Sequence, residues 1–198
     1  HSLSVAVDHL SCLRTLLKDV RVIHMFAPYS LLRSALENAS TAVWLLQPDT
    51  SSERLTRRLR QAAGDIRQAE EARRVMGETT SRSREKRIEE VQSIARRAGI
   101  DEGKAIRGAG PAEIVWAAGA ELPFEPKVSF MSWKLCSGMT HGDFWAVTAG
   151  MDQFRLPGAP EGMAALKLSA NVSLLMHLTM VATGMTRRGW ELYDRLSR

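Results

Sequence analysis

The sequence predicts an all-α protein, because the apolar residues follow helical spacing almost throughout and no convincing alternating strand is found. The chain has 198 residues, 44% of them hydrophobic, which suits one domain with a sizeable core. No repeat of fixed period is present, which argues against a solenoid. We therefore expect a single-domain bundle over 1–198, with about six to seven helices and a projecting charged helical hairpin over 53–99.

The first two helices are predicted from leucine and alanine spacing. One is expected from about Val5 to Lys18, where four leucines supply an apolar face. A connection follows, and a second helix is expected from about Pro28 to Gln47. It ends before Pro48 because a proline disfavours helical geometry in the residue that precedes it.

The charged hairpin is predicted from its start and stop signals. Thr50-Ser-Ser-Glu53 is a capping box, in which a hydroxyl and a carboxylate satisfy exposed backbone donors at a helix start. The helix that follows is expected to end at Gly77, and a polar turn comes next. A shorter helix carries apolar residues over 88–98 and ends at Gly99, so the two should form an antiparallel pair.

The positive charge of the chain lies in its middle. Residues 53–107 hold 15 Lys and Arg against 10 Asp and Glu, and the remaining residues are balanced, so this stretch carries the whole net charge of +5. A basic face can bind phosphate or an acidic partner, whereas interleaved arginines and glutamates are typical of a solvated helix surface. Both interpretations stay open.

The second half of the chain is expected to hold three more helices and two loops. The glycine-containing segment 100–110 is predicted to be irregular, and a short helix should begin at Pro111. Pro126 introduces a helix that carries the motif discussed below. A loop over about 150–162 and a last helix over about 163–196 complete the chain.

Two absences shape the expected location. The last helix begins with 23 residues that include one charged residue, Lys167, but serine, asparagine, threonine and histidine interrupt it. A central helix of a bundle shows the same apolar bias, so no membrane contact is expected. Cys12 and Cys136 form no CxxC motif, which favours neither a disulfide framework nor a zinc site. We expect a cytoplasmic protein.

The second helix carries a polar arc opposite its apolar one. At 100° per residue one arc holds small hydroxyls and amides around a single arginine and glutamate, Arg33 and Glu37. Its members are Ser30, Arg33, Ser34, Glu37, Asn38, Ser40, Thr41 and Trp44. This composition predicts either a partly buried polar surface or a structural Arg33–Glu37 ion pair.

The segment Trp133–Trp145 is the strongest candidate for a site. If the helix persists, Lys134, Ser137 and His141 share one stripe and could meet one ligand. Gly138 and Gly142 would then let another helix or a substrate approach the backbone. If the glycines instead break the helix, they expose His141 at a turn.

Histidine chemistry is available at His141, because an imidazole can move a proton near neutral pH. Ser137, Glu37 or Asp143 could orient the ring, but a packing role for a lone histidine is an equal alternative. Trp44, Trp133 and Trp145, together with Trp116, could stack on a base or ring or could simply pack in a core. A metal site built from His141, His177, Glu37 and Asp143 lacks diagnostic spacing, so we expect neither a metal nor a cofactor.

Two sets of motifs carry a resemblance. Arg33-x3-Glu37-Asn38, and Ser137-Gly138-x2-His141-Gly142 after Trp133-Lys134, resemble a group of bacterial helical proteins of unknown function. More distantly, a basic residue followed by a histidine late in a bundle is similar to the HEPN superfamily, which includes metal-independent ribonucleases and toxins. There an arginine and a histidine with four to six residues between them form a composite site across a dimer. Here six residues separate Lys134 from His141, and lysine replaces the arginine.

Two functions are consistent with these observations. The first is a helical binding or regulatory module with a polar pocket around His141, Arg33 and Glu37, whose ligand would be a small molecule or a partner. Its other binding side chains would be Asn38, Trp44, Trp133, Asp143 and Trp145. The alternative, implied by the HEPN resemblance, is a homodimeric RNA-cleaving enzyme that uses His141 as general base or acid and Lys134 on the phosphate, with Ser137 beside them.

Overall fold

The computed structural model describes residues 1–78 and 82–198, and it confirms the all-α class. Over these residues it contains nine α-helices, one π-helical segment and one pair of short strands. The α-helices are α1 (Ser2–Arg14), α2 (Ala27–Leu46), α3 (Ser51–Met76), α4 (Arg84–Arg97), α5 (Glu102–Ile106), α6 (Pro111–Gly119), α7 (Pro126–His141), α8 (Phe144–Gly150) and α9 (Val172–Leu196). The π segment is Thr15–Val20, and the strands are β1 (Met151–Leu156) and β2 (Ala165–Ala170).

The described residues group into two compact units. The first unit comprises residues 1–43 and 115–198, and the second unit comprises residues 44–114. Each has its own set of buried apolar side chains. The expectation of a single domain over 1–198 stays a prediction.

The second unit contains the predicted charged hairpin helices. The Thr50 hydroxyl accepts a hydrogen bond from the backbone N–H of Glu53 at 3.2 Å, and Gly77 closes α3 in a left-handed conformation. α3, α4 and α5 pack around one apolar cluster, formed by Leu59, Ala63, Ile66, Val91, Ala95, Ile100 and Ala105. The polar turn predicted after Gly77 falls partly on residues 79–81, which lie outside the described residues.

One short helix in the second unit was not expected. Segment 100–110 was predicted to be irregular, but Glu102–Ile106 forms α5. The Asp101 carboxylate accepts a hydrogen bond from the backbone N–H of Lys104 at 2.7 Å, and Ala105 is buried in the cluster. This local cap and one apolar contact suffice for a single helical turn.

The first unit begins with a longer helical segment than predicted. α1 starts at Ser2 and continues into the π-helical segment, which Arg21 follows with φ +58°. α2 agrees closely with its predicted bounds. Its apolar arc is buried, including Leu32, Ala35 and Leu36.

The region before the last helix corrects the sequence prediction. Residues 151–156 and 165–170 form an antiparallel strand pair, in which Met151 is opposite Ala170 and Leu156 is opposite Ala165. The helix expected from residue 163 therefore begins only at Val172, where the Asn171 side chain accepts a hydrogen bond from the backbone N–H of Leu174. Leu166, Lys167 and Leu168 favour a helix in isolation, but cross-strand pairing overrides that preference.

α9 has one buried face and one exposed face. Leu175, Leu178, Val181, Ala182, Met185 and Leu192 are buried. Met176 and Met180 are exposed, so part of the apolar surface of α9 is open to solvent. Within 1–78 and 82–198, no helix combines the length and hydropathy that a membrane crossing requires.

Candidate functional site

The helix that carries the candidate histidine is continuous. α7 runs from Pro126 to His141, and Gly142 closes it in the left-handed region with φ +71°. The N–H of Asp143 then donates to the carbonyl of Gly138 at 2.9 Å, which satisfies one of the last helical carbonyls. The helix thus persists through Gly138 and ends directly after His141, so each of the two predicted geometries is correct in part.

The two glycines of the motif have different roles. A Cβ built on Gly138 would lie 2.6 Å from the Ala146 Cβ and 2.8 Å from Cζ2 of Trp145, so only a hydrogen fits between α7 and α8. No atom of the described residues lies within 4 Å of a Cβ built on Gly142. Close helix approach, predicted for both glycines, therefore holds for Gly138, while Gly142 serves the turn.

The predicted stripe of Lys134, Ser137 and His141 lies on one side of α7. Lys134 and His141 are exposed, and Ser137 is half-buried. His141 is seven positions after Lys134, which corresponds to about 10 Å along the helix axis. In the described part of the chain none of the three side chains makes a hydrogen bond or an ion pair. His141 is open to solvent but is not hydrogen-bonded to Glu37 or Arg33.

The structure brings together three other predicted residues. The indole Nε1–H of Trp133 donates to Oε2 of Glu37 at 3.0 Å, and the same oxygen lies 3.4 Å from Nη2 of Arg33. The side chains of Arg33 and Glu37 are 29% and 30% exposed, so the pair is only partly hydrated. This cluster joins α2 to α7 inside the first unit.

The polar arc of α2 is partly buried along its length. Ser30, Arg33, Ser34, Glu37, Asn38 and Thr41 are half-buried, and Ser40 and Trp44 are buried. Asn38 and Thr41 bond to backbone carbonyls one turn earlier, at 2.9 Å each. The two alternatives drawn from the sequence therefore coexist, because a partly buried polar surface contains the Arg33–Glu37 pair.

Aromatic rings continue from this cluster. Trp116 of α6 and Phe130 of α7 make an edge contact with centroids 5.6 Å apart, and Phe130 lies 6.0 Å from Trp133. Trp116 is 50% exposed. Phe130 was missed by the sequence analysis, although its position four residues before Lys134 places it on the same stripe.

Some predicted binding residues lie elsewhere or are closed to a ligand. Trp44 belongs to the second unit and is 2% exposed, so its ring offers no open face, and Arg57 and Arg60 lie over that ring. Asp143 is exposed at the start of α8 and caps no N–H with its side chain. Trp145 is 42% exposed and covers Gly138.

The buried side of α7 is chemically inert. Cys136 is buried, and this burial raises the pKa of its thiol to about 12, so it is neutral at physiological pH. The pKa of Tyr29 is also raised, first by burial and then by Cys136 and Asp152. Among the side chains that the structure describes, no three metal-ligating groups come together.

Comparison with known proteins finds no matching family model, no matching curated protein and no matching solved structure. Oε1 of Glu37 and the buried Nε of Arg33 make no hydrogen bond within 1–78 and 82–198. Among the described residues the cluster therefore keeps one unbonded carboxylate oxygen beside a row of rings, while the Nε of Arg33 is enclosed.

Proposed function

We propose that this protein is a noncatalytic binding or regulatory module whose ligand lies against Trp133, Glu37 and Arg33. The observation that carries the proposal is the row of Trp116, Phe130 and Trp133, which ends at a half-buried carboxylate with a free oxygen. Ring faces bind flat apolar surfaces, and a carboxylate fixes the orientation of a ligand N–H group.

The ligand class follows from the charges around the rings. Glu37 is already matched by Arg33, whereas Lys134 is exposed one residue after Trp133 and has no ion-pair partner in the described residues. His141 lies on the same side of α7 as Lys134. It is about 12 Å from Trp133 along the helix axis. We infer a flat small molecule with an N–H donor at the Glu37 end and an anionic group toward Lys134 and His141.

Isothermal titration calorimetry tests this inference with three matched probes. Adenosine monophosphate supplies a ring and an anion, adenosine supplies the ring alone, and inorganic phosphate supplies the anion alone. We expect the nucleotide to bind most tightly. The variants Glu37→Gln and Lys134→Ala should each weaken it about tenfold, while Lys127→Ala, an exposed position on the same helix, should not.

Gln at position 37 retains an oxygen that can accept the Trp133 hydrogen bond. The variant therefore tests the effect of the carboxylate charge on binding without a change in the size of the side chain. Equal binding of all three probes, or equal affinity in Glu37→Gln and the unsubstituted protein, would contradict the proposal. The buried Trp44 provides a negative control for fluorescence, because a ligand at this site should quench Trp133 and not Trp44.

A ribonuclease is the second candidate, favoured by the exposure of both Lys134 and His141 on one stripe of a continuous helix. His141 would remove the proton from an RNA 2′-hydroxyl while that oxygen attacks the adjacent phosphorus, and the leaving 5′-oxygen would take a proton from water to give a 5′-hydroxyl end. Lys134 would hold the charged phosphate oxygens. The resemblance further implies a homodimer, which sedimentation velocity would detect.

Incubation of RNA with the protein in the presence of a chelator tests the second candidate. Cleavage that yields cyclic phosphate ends, and that is lost in His141→Ala but retained in His177→Ala, would support it. His177 is a suitable control because it is also exposed. An RNA that stays intact would leave the binding module as the function of the site.

A further inference from the structure

An apolar groove of about 540 Å³ lies along α9, within the first unit and apart from the Trp133 cluster. It is lined by Leu17 of the π-helical segment, by Ile23, and by α9 residues from Val172 to Arg187. At 1.5 Å per residue these α9 positions span about 22 Å. The groove is thus long and has the volume of a small-molecule site.

The walls of the groove are partly exposed and carry almost no charge. Met176 and Met180 are 63% and 66% exposed, and residues 168–186 contain no Asp, Glu, Lys or Arg. Among the described residues that line the groove, Arg187 alone is charged. A solvated helix face normally carries several charges, so an open stripe of this composition indicates that something covers it.

Arg187 has free donors at its end of the groove. Its Nε lies 3.5 Å from Oε1 of Glu191, and its side chain, which is 77% exposed, donates no hydrogen bond in the part of the chain that the structure describes. Glu191 is shared with Arg188, which approaches it at 3.1 Å. The forked end of Arg187 can therefore bind a carboxylate through both terminal nitrogens.

Thr183 adds a second free donor. Thr179 and Thr186 each donate back to the carbonyl one turn earlier, at 2.8 Å. The Thr183 hydroxyl makes no such bond, and Thr183 lies one turn before Arg187 on the same helix face. Both donors thus meet at one end of the apolar stripe.

We propose that this groove binds a long-chain carboxylate, with the chain along Met176 and Met180 and the carboxylate on Thr183 and Arg187. Methionine side chains are flexible and adapt to an alkyl chain, and the single cation complements the single anion. The proposed site shares no residue with the Trp133 cluster, so either proposal can fail without the other.

Calorimetric titration with dodecanoate, kept below its micelle concentration, tests the proposal. Dodecyltrimethylammonium has the same chain with the opposite charge. We expect dodecanoate to bind one per chain and at least about tenfold more tightly than the cation. Arg187→Glu should reverse this preference, and Arg195→Glu, at an exposed position outside the groove, should leave it unchanged.

Met180→Glu provides an independent test, because it places a charge on the groove wall at an exposed position that the core does not use. It should abolish dodecanoate binding while circular dichroism stays unchanged. Equal binding of the two probes, or an unaltered dodecanoate affinity in Arg187→Glu, would overturn the proposal.

Other occupants of the groove give distinct results, each of which overturns the proposal. Sedimentation velocity that shows a dimer, dissociated by Met180→Glu, would mean that a second copy covers the face. Binding to phosphatidylglycerol vesicles without any binding of dodecanoate would mean that a lipid surface covers it.

Discussion

Two tryptophans of this protein lie beside arginines and glutamates, with opposite consequences. In the first unit Trp133 is half-buried and donates to Glu37, which also meets Arg33. In the second unit Trp44 is buried beneath Arg57 and Arg60. The same residue types thus build an open cluster in one unit and a closed structural contact in the other.

Each arginine on Trp44 bonds to two or three partners within the second unit. Arg57 donates to the Trp44 carbonyl at 2.5 Å and pairs with Glu53. Arg60 donates to the carbonyls of Arg107 and Gly108 and pairs with Glu113 at 2.7 Å. These bonds hold the chain around α3 and leave little capacity for a ligand.

In the cluster on Trp133, some polar atoms of Glu37 and Arg33 make no hydrogen bond among the described residues. One oxygen of Glu37 receives both contacts, and the buried Nε of Arg33 has no partner among the described residues. The bonds of Arg57 and Arg60 stabilise the second unit, whereas Glu37 keeps one carboxylate oxygen that can accept a further hydrogen bond. Composition alone does not distinguish the two.

The largest expected effect is that of Trp44→Ala. Removal of a fully buried ring should lower the free energy of unfolding by about 3–5 kcal/mol. Trp133→Ala, at a half-buried position, should lower it by less than half as much. Urea unfolding followed by far-ultraviolet circular dichroism measures both, and a larger loss in Trp133→Ala would reverse the comparison.

Arg60→Ala should have the next largest effect, because it removes three charge-assisted bonds at a side chain that is 15% exposed. We expect a loss of about 1.5–3 kcal/mol in the free energy of unfolding. Arg58→Ala is the matched control, since Arg58 is exposed on the same helix, and it should change stability by no more than about 0.5 kcal/mol. Equal losses would show that Arg60 is not a structural anchor.

Alkaline pH should destabilise the first unit through Cys136. The thiol ionises near pH 9 when the chain is unfolded but only near pH 12 when it is folded. Its stabilising contribution is complete below pH 9 and is lost as the pH rises toward 12, by up to about 1.4 kcal/mol per pH unit. Urea unfolding of Cys136→Ala over this range should show a shallower pH dependence, and identical slopes would contradict the assignment.

The smallest expected effect belongs to Glu37→Gln. The amide oxygen can still accept the Trp133 bond, and the half-exposed ion pair with Arg33 contributes at most about 1 kcal/mol. Unfolding by urea should therefore differ little from the unsubstituted protein, even where ligand binding is weakened. A loss above about 2 kcal/mol would place Glu37 with the structural contacts of the second unit.

Local signals predicted the helices well. Thr50 and Gly77 bound α3 as their capping chemistry requires, and Pro48 follows α2 as expected. The strands β1 and β2 were not predicted because each strand is stabilised by its pairing with the other. In addition, five of the six residues of β1 are exposed, so the strand has no alternating burial pattern. Pairing between two strands that are separated in sequence does not require a hydrophobic periodicity within either strand.

Only those parts of the candidate site that depend on spacing along one helix could be predicted from the sequence. The shared stripe of Lys134, Ser137 and His141 follows from spacing alone. The helical projection of α2 also grouped Trp44 with Arg33 and Glu37. A projection gives the side of the helix on which a residue lies, but it does not show which other residues pack against that side. The contact between Trp133 and Glu37 joins residues 96 positions apart, and only the folded chain brings them together.

The close approach at Gly138 limits how a lineage of such proteins can diverge. Any side chain at this position would collide with Ala146 and Trp145, so mutation there requires simultaneous change in α8. Gly142 has free space around it but a left-handed backbone, which asparagine also tolerates. Near the turn that presents His141, position 138 accepts only glycine, whereas position 142 accepts glycine or asparagine. Distant relatives can therefore be sought by a glycine at the first position and either residue at the second.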